Sequence, residues 1–281
     1  MDLSIIILTY NTKNLARECV KNILRVAPRL RYEIIAVDNG SHDGSVETLR
    51  KDFPYIRIVA SATNTGYGGG NNQGMAVATG RYVCVLNPDV TVSIGSLETM
   101  VAYMDAHPAA GLAGPRLQNA DGSLQYTCFR FPRLMIPLYR RTPLGGFSFA
   151  KRAVDNFLMK DFDHASPRSV DWLMGAALIA RREAIAHVGM FDKRYFHYVE
   201  DTDWSREFWR HGWEVHYVPA ARMIHLHQRD SAQGNFLKTL LRPATRLHIL
   251  SAIKYFWKWR SQNVKVQNPN VKSNLKFKCQ I

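Results

Sequence analysis

Residues 3–12 read LSIIILTYNT, a short apolar run that ends in a polar turn. The run is rich in β-branched side chains and too short for a buried helix, so it predicts a buried strand of a parallel sheet. The residues that follow it carry apolar side chains at helical spacing, at Leu15, Cys19, Ile23 and Val26. The chain therefore begins with a strand, a polar turn and an amphipathic helix.

The same alternation continues to residue 86. Short apolar runs predict strands at 33–37, 56–60 and 82–86, and the spacing predicts helices at 45–51 and 71–78. Strands that alternate with helices form parallel sheets through right-handed crossovers. The predicted fold class is α/β, a single doubly wound, Rossmann-like, mostly parallel sheet flanked by helices. A ligand should lie at the carboxyl ends of its strands, where residues 9–12, 38–44 and 87–89 form loops rich in Asp and Asn.

The second half of the chain is less regular. Residues 116–168 carry scattered Pro, Gly, Arg and aromatic residues, so we expect a surface excursion that shapes a substrate site. Residues 172–185 predict a strand that passes into a helix, followed by a helix at 202–211 and a strand at 214–218.

The composition indicates one large domain or two small ones. The chain has 281 residues, of which 46% are hydrophobic, so a sizeable core is expected. No apolar run reaches about 18 residues, so no membrane span is predicted. The start lacks the features of a signal peptide, and the cytoplasm is the expected compartment. The cysteines form no CxxC pair, which argues against a zinc or redox site; they are Cys19, Cys84, Cys128 and Cys279.

The net charge of +14 is concentrated towards the C-terminus, since residues 231–281 hold ten Lys and Arg and no Asp or Glu. Such a segment can bind nucleic acid, anionic lipid or a polyanionic substrate. A solvated or disordered tail is an equal alternative.

Acidic residues stand at three places: Asp38 with Asp43, then Asp89, then the EDTD stretch at 200–203. Each place follows an apolar strand or marks the change from a loop to a helix. Carboxylates and phosphate oxygens are the usual ligands of Mg²⁺ or Mn²⁺. Asp89 is the expected metal ligand, and a turn cap after Pro88 is its alternative role.

These stretches together resemble the inverting, GT-A fold glycosyltransferases of family 2, most closely the rhamnosyltransferase-like branch. The resemblance rests on SIIILTYNT (4–12), AVDNGSHDGS (36–45), NTGYGGGNNQGMAVATGRYVCVLNPDV (64–90), WLMGAALIARREAIAHVGMFDKRYFHYVEDTDW (172–204) and MIHLH (223–227). It implies a GT-A domain at 1–236, with a nucleotide-binding half to about residue 115 and an acceptor half from about 116. A basic C-terminal helix and tail would follow at 237–281.

The resemblance also implies the substrates. The donor is expected to be a nucleotide diphosphate sugar, best dTDP-rhamnose, and the acceptor a hydroxyl on a cell-surface polysaccharide or a lipid-linked glycan. The donor contacts it implies are Thr9, Tyr10, Asn11, Asp38, Asn64, Gly66, Asn71 and Asn87. Asp38 would accept a hydrogen bond from the pyrimidine N–H. Asp43 would hold this loop or cap the helix at residue 45.

The metal motif of the family is Asp-x-Asp, which here reads Asn87-Pro88-Asp89. One carboxylate is missing, so Asp89 is implied to hold Mg²⁺ or Mn²⁺ with the donor phosphates and a histidine. That histidine is His225 or His227, with His225 preferred.

The resemblance implies that Asp201 is the general base, because an inverting transfer needs one group to take the proton of the attacking hydroxyl. Glu200 and Asp203 are its rivals, and Asp203 has a helix cap as an alternative role. Trp172 and Gly175 are implied to shape the acceptor side, although Trp172 is also a candidate core residue.

Residues 205–213, SREFWRHGW, lack the Gln-x-x-Arg-Trp of processive relatives, so we expect one sugar per encounter. A nucleotidyltransferase is one alternative, but it would need a basic phosphate-binding signature after the first strand, where only Lys13 stands. A nucleic-acid-binding protein is another, but it would need basic and aromatic residues on the sheet, whose strand ends are instead acidic.

Residues 246–260 read RLHILSAIKYFWKWR and predict a C-terminal helix with an apolar stripe of Leu247, Leu250, Ile253, Phe256 and Trp257. Nearby cations suit the lipid headgroup boundary. We therefore expect peripheral association with an anionic membrane surface, at the inner face of the cell membrane, through residues from about 242. Packing on the catalytic domain or a homodimer contact is the alternative.

Overall fold

The computed structural model describes residues 1–26, 28–226 and 242–260. Its N-terminal half alternates strands and helices as the sequence predicts. In chain order the elements are β1 (Leu3–Thr9), α1 (Lys13–Val26), β2 (Tyr32–Asp38), α2 (Ser45–Asp52), β3 (Arg57–Ala60), α3 (Gly66–Val77), β4 (Tyr82–Leu86), β5 (Val90–Val92) and α4 (Ser96–Ala106).

The second half is more regular than predicted. Its elements are β6 (Ala110–Gln118), β7 (Leu124–Gln125), β8 (Cys128–Phe129), α5 (Ile136–Arg141), a 3₁₀ turn (Pro143–Gly146), α6 (Ser148–Phe157), β9 (Arg168–Ser169), β10 (Trp172–Leu173), β11 (Ala177–Arg181), α7 (Arg182–Val188), α8 (Glu200–Arg210), β12 (Glu214–His225) and α9 (Pro243–Trp259).

In the described part of the chain, ten strands form one mixed sheet in the order β3-β2-β1-β4-β11-β6-β12-β5, with β7 on β6 and β9 on β12. The first four strands of this order run parallel. Strand β11 is antiparallel to both β4 and β6. Because Ala177 pairs with Leu86, the carboxyl end of β4 lies beside the start of β11.

Helices cover both faces of the sheet, which confirms the doubly wound architecture. Side chains of β1 alternate between two cores: Ile5 and Ile7 enter one cluster, and Ile6 enters the other. The first cluster includes residues of α1 and α4, and the second includes residues of α3 and α8. Burial on both faces explains why β1 reads as a continuous apolar run.

Helix α3 begins at Gly66, five residues before the predicted start. Glycine is a weak helix former, so the glycine-rich sequence did not predict the first turns of α3. Packing explains the glycines: a Cβ at Gly74 would lie 2.6 Å from Ile6 Cγ2, and one at Gly70 would overlap Leu8. The stretch GYGGGNNQG thus lets α3 pack closely on the sheet.

Strand β12 extends well beyond its predicted end at Val218. Pro219 follows that end, and proline interrupts strand ladders. The structure accommodates this stretch with an irregularity between Val218 and Arg222, after which the pairing resumes and continues to Ile224. His225 therefore lies at the end of β12, where this strand pairs with β5.

Residues 133–157, here called the helical hairpin, correct the prediction of an irregular excursion at 116–168. Helices α5 and α6 pack around a small separate core that contains Phe129, Ile136 and Phe157, with Trp172 against it. These helices are short and are interrupted by Pro and Gly, so the sequence shows no long helical periodicity that would predict them. Their part in shaping an acceptor site stays a prediction.

Helix α9 confirms the predicted C-terminal helix. Its inner face buries Tyr255 and Trp259 against Tyr195, and its outer face exposes Leu250, Ile253 and Trp257. Among the described residues, no helix is both long and apolar enough to cross a membrane. His227, Cys279 and the tail at 261–281 lie outside the described residues.

Candidate active site

The loops after β1 and β2 are joined by hydrogen bonds. The amide of Asn11 donates to Ser41 Oγ at 2.9 Å, and the amide of His42 donates to Asn11 Oδ1 at 2.9 Å. Asp43 accepts the amide of Lys13 at 2.9 Å and that of Ser45 at 3.1 Å. Asp43 therefore holds this loop against α1, while Gly44 occupies the N-cap position of α2.

Asp38 ends β2 and begins the second of these loops. Its side chain is buried, and its Oδ2 accepts the amide of Ser41 at 3.0 Å. Its Oδ1 has no hydrogen-bond partner in the described part of the chain. Thr9, at the end of β1, is also buried and bonds Thr12 through its hydroxyl, whereas Tyr10 is exposed. Asp38 thus presents an acceptor without a protein donor.

Asn39 is a site residue that the sequence analysis missed. Its Nδ2 donates to Asn64 Oδ1 at 2.9 Å and to the carbonyl of Gly66 at 3.0 Å, and its Oδ1 accepts the amide of Thr65. These bonds fix the loop before α3 to the end of β2. A Cβ at Gly66 would overlap the Phe196 carbonyl. In the sequence, the only indication that Asn39 belongs to the site was its position next to Asp38.

Asn71 lies on α3 and is fully buried. Its Nδ2 donates to the carbonyl of Tyr67 at 3.0 Å, and its Oδ1 has no hydrogen-bond partner within the described residues. The nucleotide contacts expected for Asn64, Gly66 and Asn71 stay predictions.

A second group of site residues surrounds Asp89. Its Oδ1 lies 3.4 Å from His225 Nε2, and its carbonyl accepts the amide of Leu226 at 3.1 Å. The amide of Asn87 donates to the carbonyl of Ala176 at 2.9 Å. The Asn87–Asp89 loop is thereby tied on one side to β12 and on the other to the segment before β11.

Gln125 orients His225 and was also missed. Its Oε1 lies 2.7 Å from His225 Nδ1, and its Nε2 donates to Asn119 Oδ1 at 3.0 Å. An amide oxygen only accepts, so Nδ1 carries the proton and Nε2 is the ring nitrogen turned towards Asp89. No sequence pattern could reveal this contact, because Gln125 and His225 are a hundred positions apart.

Asp89 and His225 provide two ligands that suit a divalent cation, but two ligands alone do not complete its coordination. A carboxylate oxygen and an imidazole nitrogen both coordinate Mn²⁺, and the carboxylate suits Mg²⁺. Within the described residues, no cluster of three or more His, Cys, Asp or Glu could hold a metal ion. A cation here would need further oxygens from a bound diphosphate or water.

Asp201 and Glu200 form the acidic side of the site. Asp201 Oδ2 accepts the amide of Gly175 at 2.9 Å, and Oδ1 accepts the amide of Thr202 at 2.7 Å. Burial raises the pKa of Asp201 despite these bonds. Burial, reinforced by the charge of Asp201, raises the pKa of Glu200 well above its ordinary value. Two carboxyl groups with raised pKa values are typical of proton-transfer sites.

The turn before α8 is strained. Tyr198 and Val199 have φ of 72° and 74°, a region that non-glycine and especially β-branched residues rarely adopt. Ser251 Oγ donates to the carbonyl of His197 at 2.9 Å, and Tyr198 stacks on His248. Helix α9 therefore holds the turn that presents Glu200 and Asp201.

Asp203 is an internal residue of α8, whose N-cap position is Val199, so the alternative role of helix cap is wrong. Its carboxylate is only 1% exposed. It accepts hydrogen bonds from Lys258 Nζ at 2.7 Å, Trp259 Nε1 at 2.7 Å and the Tyr195 hydroxyl at 3.1 Å. Asp203 thus anchors α9 to the rest of the protein.

Gly175 lies between the two groups of site residues. Its amide bonds Asp201, and its carbonyl accepts the Tyr67 hydroxyl. The neighbouring Ala176 accepts the amide of Asn87. Trp172 is half-buried and stacks on Phe129 with ring centroids 4.4 Å apart. The segment 172–176 therefore connects Asp89, Asp201 and the helical hairpin.

Comparison with known proteins gives the family. A family model described as Glycosyl transferase family 2 matches residues 4–162, and one described as Glycosyl transferase family group 2 matches residues 135–262. An N-acetylglucosaminyl-diphospho-decaprenol L-rhamnosyltransferase of Mycobacterium tuberculosis is 30% identical over 249 residues, which cover 85% of this chain and 80% of that protein. Rhamnosyltransferase WbbL of Escherichia coli is 24% identical over 261 residues, covering 89% of this chain and 91% of that protein.

The fold is similar to that in the crystal structure of GalNAc-T7 with UDP, GalNAc and Mn²⁺. The TM-score is 0.61 at 16% identity, and the match covers 85% of this chain and 47% of that one. At this identity the likeness concerns the fold, which is GT-A as expected.

Proposed function

The chain belongs to glycosyl transferase family 2, and we propose that it is a metal-dependent, inverting and non-processive enzyme that transfers one sugar from a nucleotide diphosphate to an acceptor hydroxyl. Family membership sets aside the nucleotidyltransferase and the nucleic-acid-binding protein. The observation that carries the mechanism is the segment 172–176, which bonds Asn87 through Ala176 and Asp201 through Gly175.

We propose dTDP-rhamnose as the donor, because the two relatives described above are named as rhamnosyltransferases. Thr9, Tyr10 and Asn11 would surround the nucleoside, with Asn64, Gly66, Asn71 and Asn87 nearer the phosphates. The unpartnered Oδ1 of buried Asp38 supports an acceptor role towards the base. Thymine and uracil both offer a ring N–H, so this contact favours a pyrimidine nucleotide.

Asp89 and His225 would hold Mg²⁺ or Mn²⁺ together with the donor diphosphate. Bound there, the cation would neutralise negative charge on the leaving diphosphate. Gln125 would keep Nε2 of His225 directed at the site, as hydrogen bonds to the far nitrogen of a ligating histidine commonly do. The Mn²⁺ in the crystal structure of GalNAc-T7 agrees with a divalent cation on this fold.

Asp201 would act as the general base. It would accept the proton of the acceptor hydroxyl as that oxygen attacks the anomeric carbon and the sugar–phosphate bond breaks in one displacement. The amides of Gly175 and Thr202 hold its carboxylate in place. Glu200, with its higher proton affinity, would stay protonated and limit negative charge beside the base.

The acceptor would approach along Trp172 and Gly175. We propose a cell-surface polysaccharide intermediate or a lipid-linked glycan at the cytoplasmic face of the membrane, since the mycobacterial relative is named for a decaprenol-linked substrate. We also propose that the nucleotide-binding half ends near residue 115 and the catalytic domain near residue 236. A homodimer is the alternative to a monomer.

The direct test is calorimetric titration with nucleotide diphosphates and their sugars, with and without Mn²⁺, followed by transfer assays with those that bind. We expect pyrimidine nucleotides to bind only when a divalent cation is present, and dTDP-rhamnose to be consumed. Asp38→Asn provides a control for base recognition, because the amide adds donors where only an acceptor is required. Purine donors that bind as well as pyrimidines would refute the assignment of Asp38.

A further inference from the structure

The helical hairpin, residues 133–157, presents large apolar side chains to solvent. Leu134 is 69% exposed, Phe147 55% and Phe149 53%, and Met135, Leu138 and Leu144 are also exposed. Monomeric proteins seldom expose many apolar side chains close together unless the surface binds a partner. The hairpin therefore carries a candidate interaction surface.

The hairpin has buried residues of its own besides these exposed side chains. Ile136 and Phe157 belong to its small core, and Ala150 is also buried. On the outside, Phe147 and Phe149 have nearly parallel rings with centroids 5.8 Å apart, and Tyr139 meets Phe149 edge-on. The hairpin thus has one apolar layer inside and a second, aromatic one outside.

The charges of the hairpin are almost all positive, and its one carboxylate, Asp155, pairs with Lys160 at 2.7 Å. From residue 122 to residue 154 there is no Asp or Glu, and the basic residues are Arg130, Arg133, Arg140, Arg141, Lys151 and Arg152. Arg133, Arg140, Lys151 and Arg152 are exposed among the apolar side chains. Aromatic and aliphatic groups interspersed with cations suit the headgroup boundary of an anionic bilayer.

Helix α9 lies beside the entrance of the hairpin. The guanidinium of Arg206 is 5.1 Å from the ring centroid of Phe131, which leads into the hairpin, and 4.6 Å from that of Trp259 on α9. Residues 242–260 likewise contain no Asp or Glu, and Leu250, Ile253 and Trp257 are exposed. Two apolar, basic elements therefore adjoin each other at Arg206.

We propose that the helical hairpin and α9 form one docking surface for an anionic lipid bilayer, with the outer aromatic layer of the hairpin inserted among the headgroups. A second copy of the chain is a poorer occupant. A two-fold interface would bring the same patch of each copy together and oppose like charges. The one carboxylate of the two segments, Asp155, is already paired with Lys160.

The surface also explains how a membrane-borne acceptor would reach the base. The hairpin core includes Trp172 and Met174, and the next residue, Gly175, bonds Asp201. A bilayer against the hairpin would therefore lie near the acceptor side of the site. This consequence rests on the proposed function, whereas the docking itself does not.

The test is flotation of the full-length protein with vesicles of phosphatidylglycerol and phosphatidylcholine, compared with phosphatidylcholine alone. The double variant Phe147→Glu with Phe149→Glu should lower vesicle binding roughly tenfold or more, since it removes inserted apolar area and adds repulsion. The matched control is Ile94→Glu with Tyr55→Glu, two exposed apolar side chains outside both elements. The control should bind as wild type does.

Leu134→Glu with Leu144→Glu is a second hairpin variant, and thermal melting checks the folding of each. Equal flotation of hairpin and control variants, or binding that ignores anionic lipid and salt, would overturn the proposal. The proposal would also be overturned if a hairpin variant still floated with the vesicles but sedimented as a monomer where wild type sediments as a dimer. Calorimetry with nucleotide is run in parallel: lost nucleotide binding with normal flotation counts against the proposed function alone.

Discussion

The backbone amide of Gly175 donates a hydrogen bond of 2.9 Å to Oδ2 of Asp201. This bond joins the segment before β11 to the first turn of α8. It also lowers the pKa of Asp201, although burial raises that pKa by more. Because the adjacent Ala176 accepts the amide of Asn87, a single short segment sets the positions of the proposed base and of the loop that carries Asp89.

Asp201→Asn keeps the shape of the side chain and removes its ability to accept a proton. We expect turnover to fall roughly a hundredfold or more, because positioned bases contribute that much. Donor affinity from calorimetry should change little. The wild-type rate should also decline as the pH falls through the raised pKa of Asp201, and the variant should lack this decline. A collapse of donor affinity would instead make Asp201 a binding residue.

Asp89→Ala should abolish transfer and leave the melting temperature close to that of wild type, because the side chain is partly exposed and serves a ligand. Excess chelator should abolish wild-type activity, and added Mn²⁺ should restore it. Asp121→Ala, which removes a carboxylate on another loop, is the control. Full activity in chelator would contradict the metal assignment.

Gln125→Leu should weaken Mn²⁺ binding about ten- to a hundredfold, as expected when the partner of a ligating histidine is removed. Gln125→Glu keeps an acceptor for His225 Nδ1 and should retain most of the affinity. Electron paramagnetic resonance of free Mn²⁺ in the presence of a nucleotide diphosphate measures this without turnover. Equal Mn²⁺ affinity in Gln125→Leu and wild type would show that His225 needs no such support.

The difference between Gln125 and Asp89 illustrates what the sequence could predict. Asp89 follows a buried strand, so local pattern and the topology of parallel sheets placed it at a ligand-binding edge. Gln125 and Asn39 act through contacts with residues that are distant in the chain. Local periodicity carries no information about such contacts. The same limit applies to Asp203: its contacts with Lys258 and Trp259 span 55 and 56 positions.

The helical hairpin and β12 were missed or shortened for a different reason. Proline and glycine interrupt the hairpin, Pro219 interrupts β12, and tertiary packing overrides these local signals. Conversely, β1, β2 and β4 were predicted well because burial on both faces of the sheet leaves an apolar run that local pattern alone reveals.

Glu200→Gln should stabilise the protein at neutral pH. The pKa of Glu200 is raised above its unfolded value of about 4.3. The wild-type carboxyl therefore gives its full contribution to stability below that value, and the contribution is lost as pH rises through the folded pKa. The variant should melt at a higher temperature than wild type at pH 7, and the difference should vanish near pH 4. A difference independent of pH would mean that ionisation of Glu200 is not its cause.

Asp203→Ala should lower the free energy of unfolding by about 3 kcal/mol, the range found when one partner of a buried, hydrogen-bonded ion pair is removed. The change leaves the indole N–H of Trp259 and the hydroxyl of Tyr195 without this acceptor, so α9 should detach more readily from α8. Urea unfolding of Asp203→Ala, Trp259→Phe and the double variant measures the coupling, which should be favourable in wild type. Asp161→Ala removes an exposed carboxylate paired with Arg130 and should cost at most about 1 kcal/mol. Equal, small losses for Asp203→Ala and Asp161→Ala would mean that Asp203 does not anchor the helix.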